Sequence, residues 1–364
     1  KQELDDWAKL GVEGHFEGKN PWMYYHHLFS ESVARLVGAK PHEVVVMNTL
    51  TTNLHLLLGT FYKPTKDRYK IVIEEHAFPS DHYVVESQLA YHGFDWEDGI
   101  IELQARKGEH TLRTSDIIDT LENEKEKIAL ILIGGVNYYT GQLFDMASIT
   151  KKGHEIGAVV GFDLAHAAGN VNLELNDWQV DFAAWCTYKY LNSGPGGPSG
   201  VFVNEKFGLD PKTKRFAGWW GHDEKTRFEM QPGYIPMDGA QGWQLSNAQI
   251  MAMAPHKASM EIFDEVGMPE LISKSRKMTA YLEFLLNAVN EGQFEIITPT
   301  NENERGCQLS LLTDKTGKAL YNKIKDAGVI ADWREPNVIR IAPVPLYNSF
   351  EDCWQFAQLM KKKN

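Results

Sequence analysis

Ala158-Val159-Val160-Gly161-Phe162-Asp163-Leu164-Ala165-His166 is the stretch that decides the fold. A short apolar run rich in β-branched residues stops on a carboxylate. It does not alternate with polar residues, so it reads as a strand buried on both faces. Met146 to Gly157 before it has helical spacing. Phe182-Ala183-Ala184-Trp185-Cys186 and Gly200-Val201-Phe202-Val203 after it are two more runs of the same kind.

The pattern continues upstream. Glu43 to Met47, Ile71-Val72-Ile73 and Ile128 to Ile133 read as strands. Between them, Asn53 to Tyr62 carries Leu54, Leu57, Leu58 and Phe61 at helical spacing. Pro79 to Tyr91 reads as a helix opened by Ser80 and Asp81, and Asp116 to Lys125 as one capped by Thr114 or Ser115. Strands alternating with helices predict an α/β fold with a doubly wound, mainly parallel sheet. Such sheets bind ligands at the carboxyl ends of their strands, where Thr51, Asp163, His166 and Lys189 fall. From about Glu265 the character changes. A long helix, Leu271 to Glu291, precedes Phe294-Glu295-Ile296-Ile297, Gln308-Leu309-Ser310-Leu311, a helix near Lys318 to Asp326, and Val338 to Ala342. The expected division is a large domain over 1–264 and a smaller α+β domain over 265–364.

Chemistry concentrates in a few places. In Cys186-Thr187-Tyr188-Lys189-Tyr190-Leu191-Asn192, before the glycine-rich Gly194 to Gly200, a lysine stands at a strand end. A desolvated or cation-flanked lysine loses its proton and attacks an aldehyde; a surface lysine before an ordinary turn has the same sequence. Asp163 could hold a pyridine nitrogen protonated, cap a helix, or pair with His166 as a metal-binding Asp-x-x-His. That pair has no clear third ligand, so no metal is expected. Thr49-Leu50-Thr51-Thr52 opens a helix, where free N–H groups and hydroxyls bind phosphate or simply cap. Phe78, before Pro79-Ser80-Asp81, is either core or a platform for a flat ring. Together these groups suit one phosphorylated aromatic aldehyde.

Composition narrows the partners. The chain has 364 residues and a formal net charge of −12, which argues against nucleic acid or an anionic membrane surface. Cys186, Cys307 and Cys353 are odd in number and far apart. They imply no disulfide framework and favour a reducing, cytoplasmic home. No apolar run is long enough to span a bilayer. Lys1 to Trp7 reads as the middle of an amphipathic helix, so an N-terminal piece is expected to be missing.

The chain resembles kynureninase, a family of fold type I pyridoxal-phosphate enzymes in the aminotransferase class V group, from about Trp7 onward. The resemblance rests on Met47 to His55, Phe78-Pro79-Ser80-Asp81, Tyr138 to Gln142, Gly161 to His166, Tyr188 to Asn192, Gly218-Trp219-Trp220-Gly221-His222, Arg305 to Leu309 and Arg340 to Asn348. It implies that Lys189 holds pyridoxal 5'-phosphate and that Asp163 pairs with the ring nitrogen. Leu50, Thr51 and Tyr188 would contact the phosphate, Phe78 would stack, and Pro79, Ser80, Asp81 and His166 would line the pocket. Trp219 and Asn247 would reach the site across a homodimer interface. Arg340 would clamp the substrate carboxylate, and His15, His222 and Asn247 would surround its aromatic end. The implied reaction is hydrolysis of kynurenine or 3-hydroxykynurenine to anthranilate or 3-hydroxyanthranilate plus alanine, a step of tryptophan catabolism towards NAD. Tyr188 would move protons at the ketone. His15 and Asn247 match the branch tuned for the 3-hydroxy substrate. The family carries a further segment before Trp7, with a Gly-Asn-Ser-Leu-Gly turn. Without it, a cofactor-binding protein lacking activity is one alternative. Another is a cysteine desulfurase, which would need a reactive cysteine on a mobile loop; Cys186 and Cys307 are expected in strands and Cys353 in the last helix.

Overall fold

The computed structural model describes residues 1–314 and 317–361, so positions 362–364 of the expected C-terminal domain lie outside the described residues. The strands are β1 (Val44–Met47), β2 (Lys70–Glu74), β3 (Ile100–Leu103), β4 (Ile128–Gly134), β5 (Val159–Asp163), β6 (Phe182–Cys186), β7 (Ser199–Val203), β8 (Phe294–Ile296), β9 (Leu309–Thr313), β10 (Asp332–Arg334) and β11 (Val338–Ile341). The helices are α1 (Gln2–Leu10), α2 (Ser30–Val37), α3 (Leu50–Phe61), α4 (Pro79–Tyr91), α5 (Trp96–Gly99), α6 (Thr114–Asn123), α7 (Met146–Glu155), α8 (Glu205–Gly208), α9 (Ile250–Val266), α10 (Met268–Val289), α11 (Gly317–Asp326) and α12 (Phe350–Met360).

Seven strands form one sheet in the order β1-β7-β6-β5-β4-β2-β3. The run from β3 to β6 is parallel, while β7 is antiparallel to both its neighbours. Both faces are covered, which explains why the strands are continuously apolar. Val72, Ile131, Ile133, Val160 and Phe162 pack in one buried cluster, and Ile71, Ile73, Leu130, Leu132 and Ala184 in another. Each such side chain contributes roughly 1.5–3 kcal/mol when fully buried. Gly161 is required by packing: a Cβ there would meet the Phe182 ring at 2.1 Å, and that ring stacks on Phe61 with centroids 4.7 Å apart.

The register sets the working end. Gly134 lies beside Asp163, and Asp163 beside Ala184, so β4, β5 and β6 present their carboxyl ends on one side. A second sheet, β10-β11-β9-β8, is antiparallel throughout. It has its own core, in which Met278, Leu282 and Leu286 of α10 meet Leu309, Leu311, Ile339, Phe356 and Met360. No described helix is long and apolar enough to cross a membrane.

Several boundaries differ from expectation. Helix α4 starts at Pro79 with Phe78 in the cap position, so Ser80 and Asp81 are inside its first turn. Proline's fixed φ and missing N–H suit the first helical residue. Helix α6 begins at Thr114, with Arg113 as the flanking residue and no side-chain cap. Cys307 lies before β9, not in it. Strands β3 and β10 were not anticipated. Asp332-Trp333-Arg334 is too short and polar to show a period, and exists because Trp333 pairs with Ile339.

Candidate active site

Three carboxyl groups meet at the carboxyl ends of β2 and β5. Asp163 closes β5 and is buried; its Oδ1 accepts the Ala165 N–H at 2.7 Å. Asp81, in the first turn of α4, is buried against it and hydrogen-bonds to it. Glu74 closes β2, and its two oxygens accept the Gly134 N–H at 3.2 and 3.1 Å. Burial pushes the Glu74 carboxyl up to about 7. Burial, then the adjacent Asp163, raises Asp81 well above the carboxylate range, and burial raises Asp163 as well. Close, desolvated carboxyls cannot all ionise, so protons stay on them. Asp81 Oδ1 is buried with no hydrogen-bond partner.

Lys189, on the turn after β6, is the cation that opposes these shifts on Asp81 and Asp163. Its Nζ lies 5.6 Å from the centroid of the Phe78 ring. Its turn is pinned below by Thr187, whose hydroxyl bonds the Ser193 hydroxyl and the Pro198 carbonyl. His166 sits 6.5 Å from the Tyr138 ring and 6.1 Å from the Tyr190 ring. Its Nδ1 is buried and unpartnered. Burial, then the charges of Lys189 and Arg340, press its pKa well below the usual value, so the ring is neutral. Tyr188 is half exposed, and burial of its hydroxyl followed by the nearby Cys186 pushes it up to about 12.

The N-terminus of α3 opens on the same edge, after β1. Asn53 ties the turn together, donating to the Met47 carbonyl at 2.9 Å and accepting from Asn48 at 3.0 Å. The first backbone bond of this helix is Asn53 N–H to the Thr49 carbonyl, which leaves the Leu50, Thr51 and Thr52 amides free for an anion.

The smaller sheet delivers Arg340. Its Nη1 donates to the Tyr138 carbonyl at 2.5 Å and its Nε to Asp332 Oδ2 at 2.8 Å, with Nη2 on the same carboxylate. Tyr138 in turn stands edge-on to Phe78, centroids 5.3 Å apart. Lys189, Phe78, Tyr138 and Arg340 therefore form one continuous line. Arg334 also faces the Tyr138 ring, at 5.8 Å.

Lys189, Asp163, Asp81, His166, Phe78 and Arg340 are thus brought together, with Pro79 and Ser80 in the helix turn beside Phe78. Four expected residues are elsewhere in the chain. His15 Nδ1 pairs with the Val12 carbonyl at 3.0 Å and its ring meets Trp22. His222 Nε2 is 3.1 Å from the Thr226 hydroxyl. The Trp219 indole donates to the Arg227 carbonyl at 3.1 Å, and Asn247 is exposed. Among the described residues none has a hydrogen bond or ring contact with Lys189, Asp163 or Phe78. Sequence reasoning missed Glu74, Tyr138 and Asp332. Glu74 ends an apolar strand on a carboxylate, the same signal that singled out Asp163; the role of Tyr138 depends on a contact between distant segments, and that of Asp332 on the pairing of β10 with β11.

The residues fit pyridoxal phosphate. An orphaned carboxyl oxygen beside a carboxyl pair suits a protonated pyridine nitrogen, free amides suit a phosphate, and Phe78 offers a face next to the lysine. The thiols suit no persulfide chemistry. All three are buried, and burial pushes Cys307 to about 12, Cys353 to about 11 and Cys186 upward.

The comparisons with known proteins agree. The kynureninase C-terminal domain family matches residues 271–360. The kynureninase of Flavobacterium psychrophilum is 56% identical over 362 residues, 99% of this chain and 85% of that protein. That of Christiangramia forsetii is 57% identical with the same coverage. That of Koribacter versatilis is 56% identical over 98% of this chain and 84% of its own. Among solved structures, the cysteine desulfurase of Thermococcus onnurineus superposes with a TM-score of 0.77 at 17% identity, covering 99% of this chain and 90% of that one. A mutant of the cystine C-S lyase C-DES, with glycine linked to its pyridoxal-phosphate cofactor, superposes with a TM-score of 0.80 at 16% identity, covering 99% and 92%. At such identities these structures speak to the fold, which is that of fold type I.

Proposed function

This chain belongs to the kynureninase family, and from that premise we propose how its residues divide the work. The protein is an enzyme that hydrolyses kynurenine to anthranilate and alanine, with pyridoxal 5'-phosphate as cofactor. When bound, the cofactor supplies an electron sink conjugated to the substrate's α-carbon.

Lys189 would provide the amine that holds the cofactor's aldehyde carbon and the base for the substrate's α-proton. Asp163 would hold the ring nitrogen protonated, and Asp81 would keep Asp163 in place while lining the pocket with His166. Phe78 would stack on the ring, with Pro79 and Ser80 beside it. Leu50, Thr51 and Tyr188 would bind the phosphate. Arg340 turns from Asp332 to the substrate carboxylate, where its planar fork pairs in two-point fashion. Tyr188, high in pKa, keeps a proton to give at the ketone carbon's oxygen. Trp219 and Asn247 reach the site from the second chain of a homodimer, and His15, His222 and Asn247 surround the aromatic end of the substrate. We read the chain as a large domain to residue 264 and a small one from 265, working in the cytoplasm on tryptophan catabolism towards NAD.

The observation that carries this division is the buried Asp163–Asp81 pair set against the one lysine. Purified protein with added cofactor should show a visible absorption band, lost on borohydride treatment and absent in Lys189→Ala, and should release alanine from kynurenine. A protein that stays colourless with added cofactor would contradict it. His15 and Asn247 support a preference for 3-hydroxykynurenine; a higher kcat/KM for plain kynurenine would remove it.

A further inference from the structure

Apart from that site, the described residues hold one cluster with the makings of a metal centre: His26, His27 and Glu224, whose ligand atoms all lie within 4.8 Å of one another. The histidines belong to the short 3₁₀ segment Trp22–Phe29, and Glu224 to the turn between His222 and Arg227. His27 Nε2 is 2.8 Å from Glu224 Oε1, and His26 Nε2 is 3.4 Å from the same oxygen. Ligand atoms around a tetrahedral zinc-like ion, with bonds near 2.0–2.1 Å, sit about 3.3 Å apart. The His26 spacing is already such an edge, and the His27 pair needs only a small opening.

Two further observations point to a ligand. His26 is 1% exposed, yet its Nδ1 has no partner and its Nε2 reaches only the Glu224 carboxylate, at 3.4 Å, beyond a well-formed hydrogen bond. A buried, unsatisfied imidazole is costly unless something accepts its lone pair. Behind His27, the Gln241 amide nitrogen is 3.2 Å from Nδ1, while Gln241 Oε1 is buried and unpartnered. Turning that amide over presents Oε1 to an Nδ1–H, which satisfies the orphaned oxygen and leaves the Nε2 lone pair free. A metal-bound histidine ordinarily donates its other N–H to such an outer acceptor. Ser30 Oγ, 3.4 Å from the amide nitrogen, can donate to the same oxygen. Glu224 adds a carboxylate oxygen facing both imidazoles. The opposing charge is Arg227. Its Nη2 donates to the Trp220 and His222 carbonyls at 2.7 and 3.0 Å, and its guanidinium lies 4.4 Å from the Trp220 ring.

We propose that this protein binds one borderline divalent cation of the zinc type through His26 Nε2, His27 Nε2 and the Glu224 carboxylate, with the remaining position open to water. The ion ties the turn that carries Trp219 and His222 to the segment at Trp22–Phe29. The site is independent of Lys189 and of the reading given to it.

The test uses cofactor-loaded protein freed of unbound cofactor and stripped of metal. Cobalt(II) is titrated in and its ligand-field bands followed, with zinc binding measured by calorimetry. One equivalent per chain is expected, with the strong bands of tetrahedral cobalt. Glu224→Gln and His27→Gln should each weaken binding at least about tenfold, and zinc should raise the melting temperature of the wild type but not of these variants. His26→Gln is buried and can fail to fold, so the two more exposed positions carry the test; His82→Gln, on another histidine–carboxylate contact, serves as the unchanged control. Absence of binding, or binding that survives both Glu224→Gln and His27→Gln, would overturn the proposal.

Discussion

The two ends of the central sheet treat buried carboxylates in opposite ways. At the amino end, Asp181 precedes β6 and is filled on both oxygens. Oδ2 accepts the Val160 N–H at 2.7 Å and faces His154 Nε2 at 3.0 Å, and Oδ1 meets Lys206 Nζ at 2.5 Å. Glu43, ahead of β1, likewise accepts from Lys40 N–H, Glu205 N–H and the Asn176 amide, all at 2.9–3.0 Å. At the carboxyl end, Glu74, Asp81 and Asp163 crowd together with protons retained, an oxygen left bare and one lysine among them. The amino end is complete in the chain alone. The carboxyl end is arranged for a group that brings positive charge and hydrogen bonds, which is what a protonated pyridine ring supplies.

Five substitutions test that contrast, the largest effect first. Lys189→Ala should lower kcat by roughly 10⁴-fold or more, since it removes both the anchor and the proton carrier; single-turnover alanine release measures it. Asp163→Asn should cost roughly 10²–10³-fold in kcat, about 3–4 kcal/mol of barrier, while leaving the apo protein as stable as wild type or more so. Asp181→Asn, its counterpart at the other end, should do the reverse: about 2 kcal/mol of stability lost by denaturant unfolding, with kcat nearly unchanged. If Asp163→Asn unfolds the apo protein and Asp181→Asn does not, the contrast is wrong.

Glu74 gives a pH-dependent version. Its carboxyl titrates near 7 when folded, against an ordinary value of 4.5. An acid raised by folding favours the folded state below its unfolded pKa, and that advantage is lost as pH rises through the folded one. Stability of the apo protein should therefore fall between pH 4.5 and 7 by up to about 3 kcal/mol from this group, and Glu74→Gln should flatten that slope. An identical slope in both proteins would show that Glu74 is not the titrating group. The smallest effect is expected from Asp332→Asn, which loosens Arg340 before substrate arrives. KM should change by a few-fold, roughly 1 kcal/mol, with kcat held.

The sheet was legible because its strands are buried on both faces, so Ile128 to Ile133 and Phe182 to Cys186 carry the fold in their composition. Edges were not: β3 and β10 owe their existence to pairing. Lys189, Asp163 and the Thr51 turn could be found because each stands where an apolar run stops. Phe78 could be found from the proline after it. Asp332 could not, because it meets Arg340 only through the β10–β11 pairing, and Tyr138 could not, because its contact to Arg340 joins segments far apart in sequence. The fit of Asp81 against Asp163 was invisible for the same reason, although both residues were singled out. Trp219, His222, His15 and Asn247 became visible only through the family stretches around them, since in one chain they make local contacts and leave the lysine untouched.

The central claim is that the carboxyl end of the sheet is built around a protonated ring nitrogen. It is tested most directly by ¹⁵N NMR of the protein loaded with pyridine-¹⁵N cofactor. The nitrogen should be protonated in the wild type across neutral pH, and should lose that proton in Asp163→Asn. An unprotonated nitrogen in the wild type, or one whose protonation is indifferent to Asp163→Asn, would contradict it.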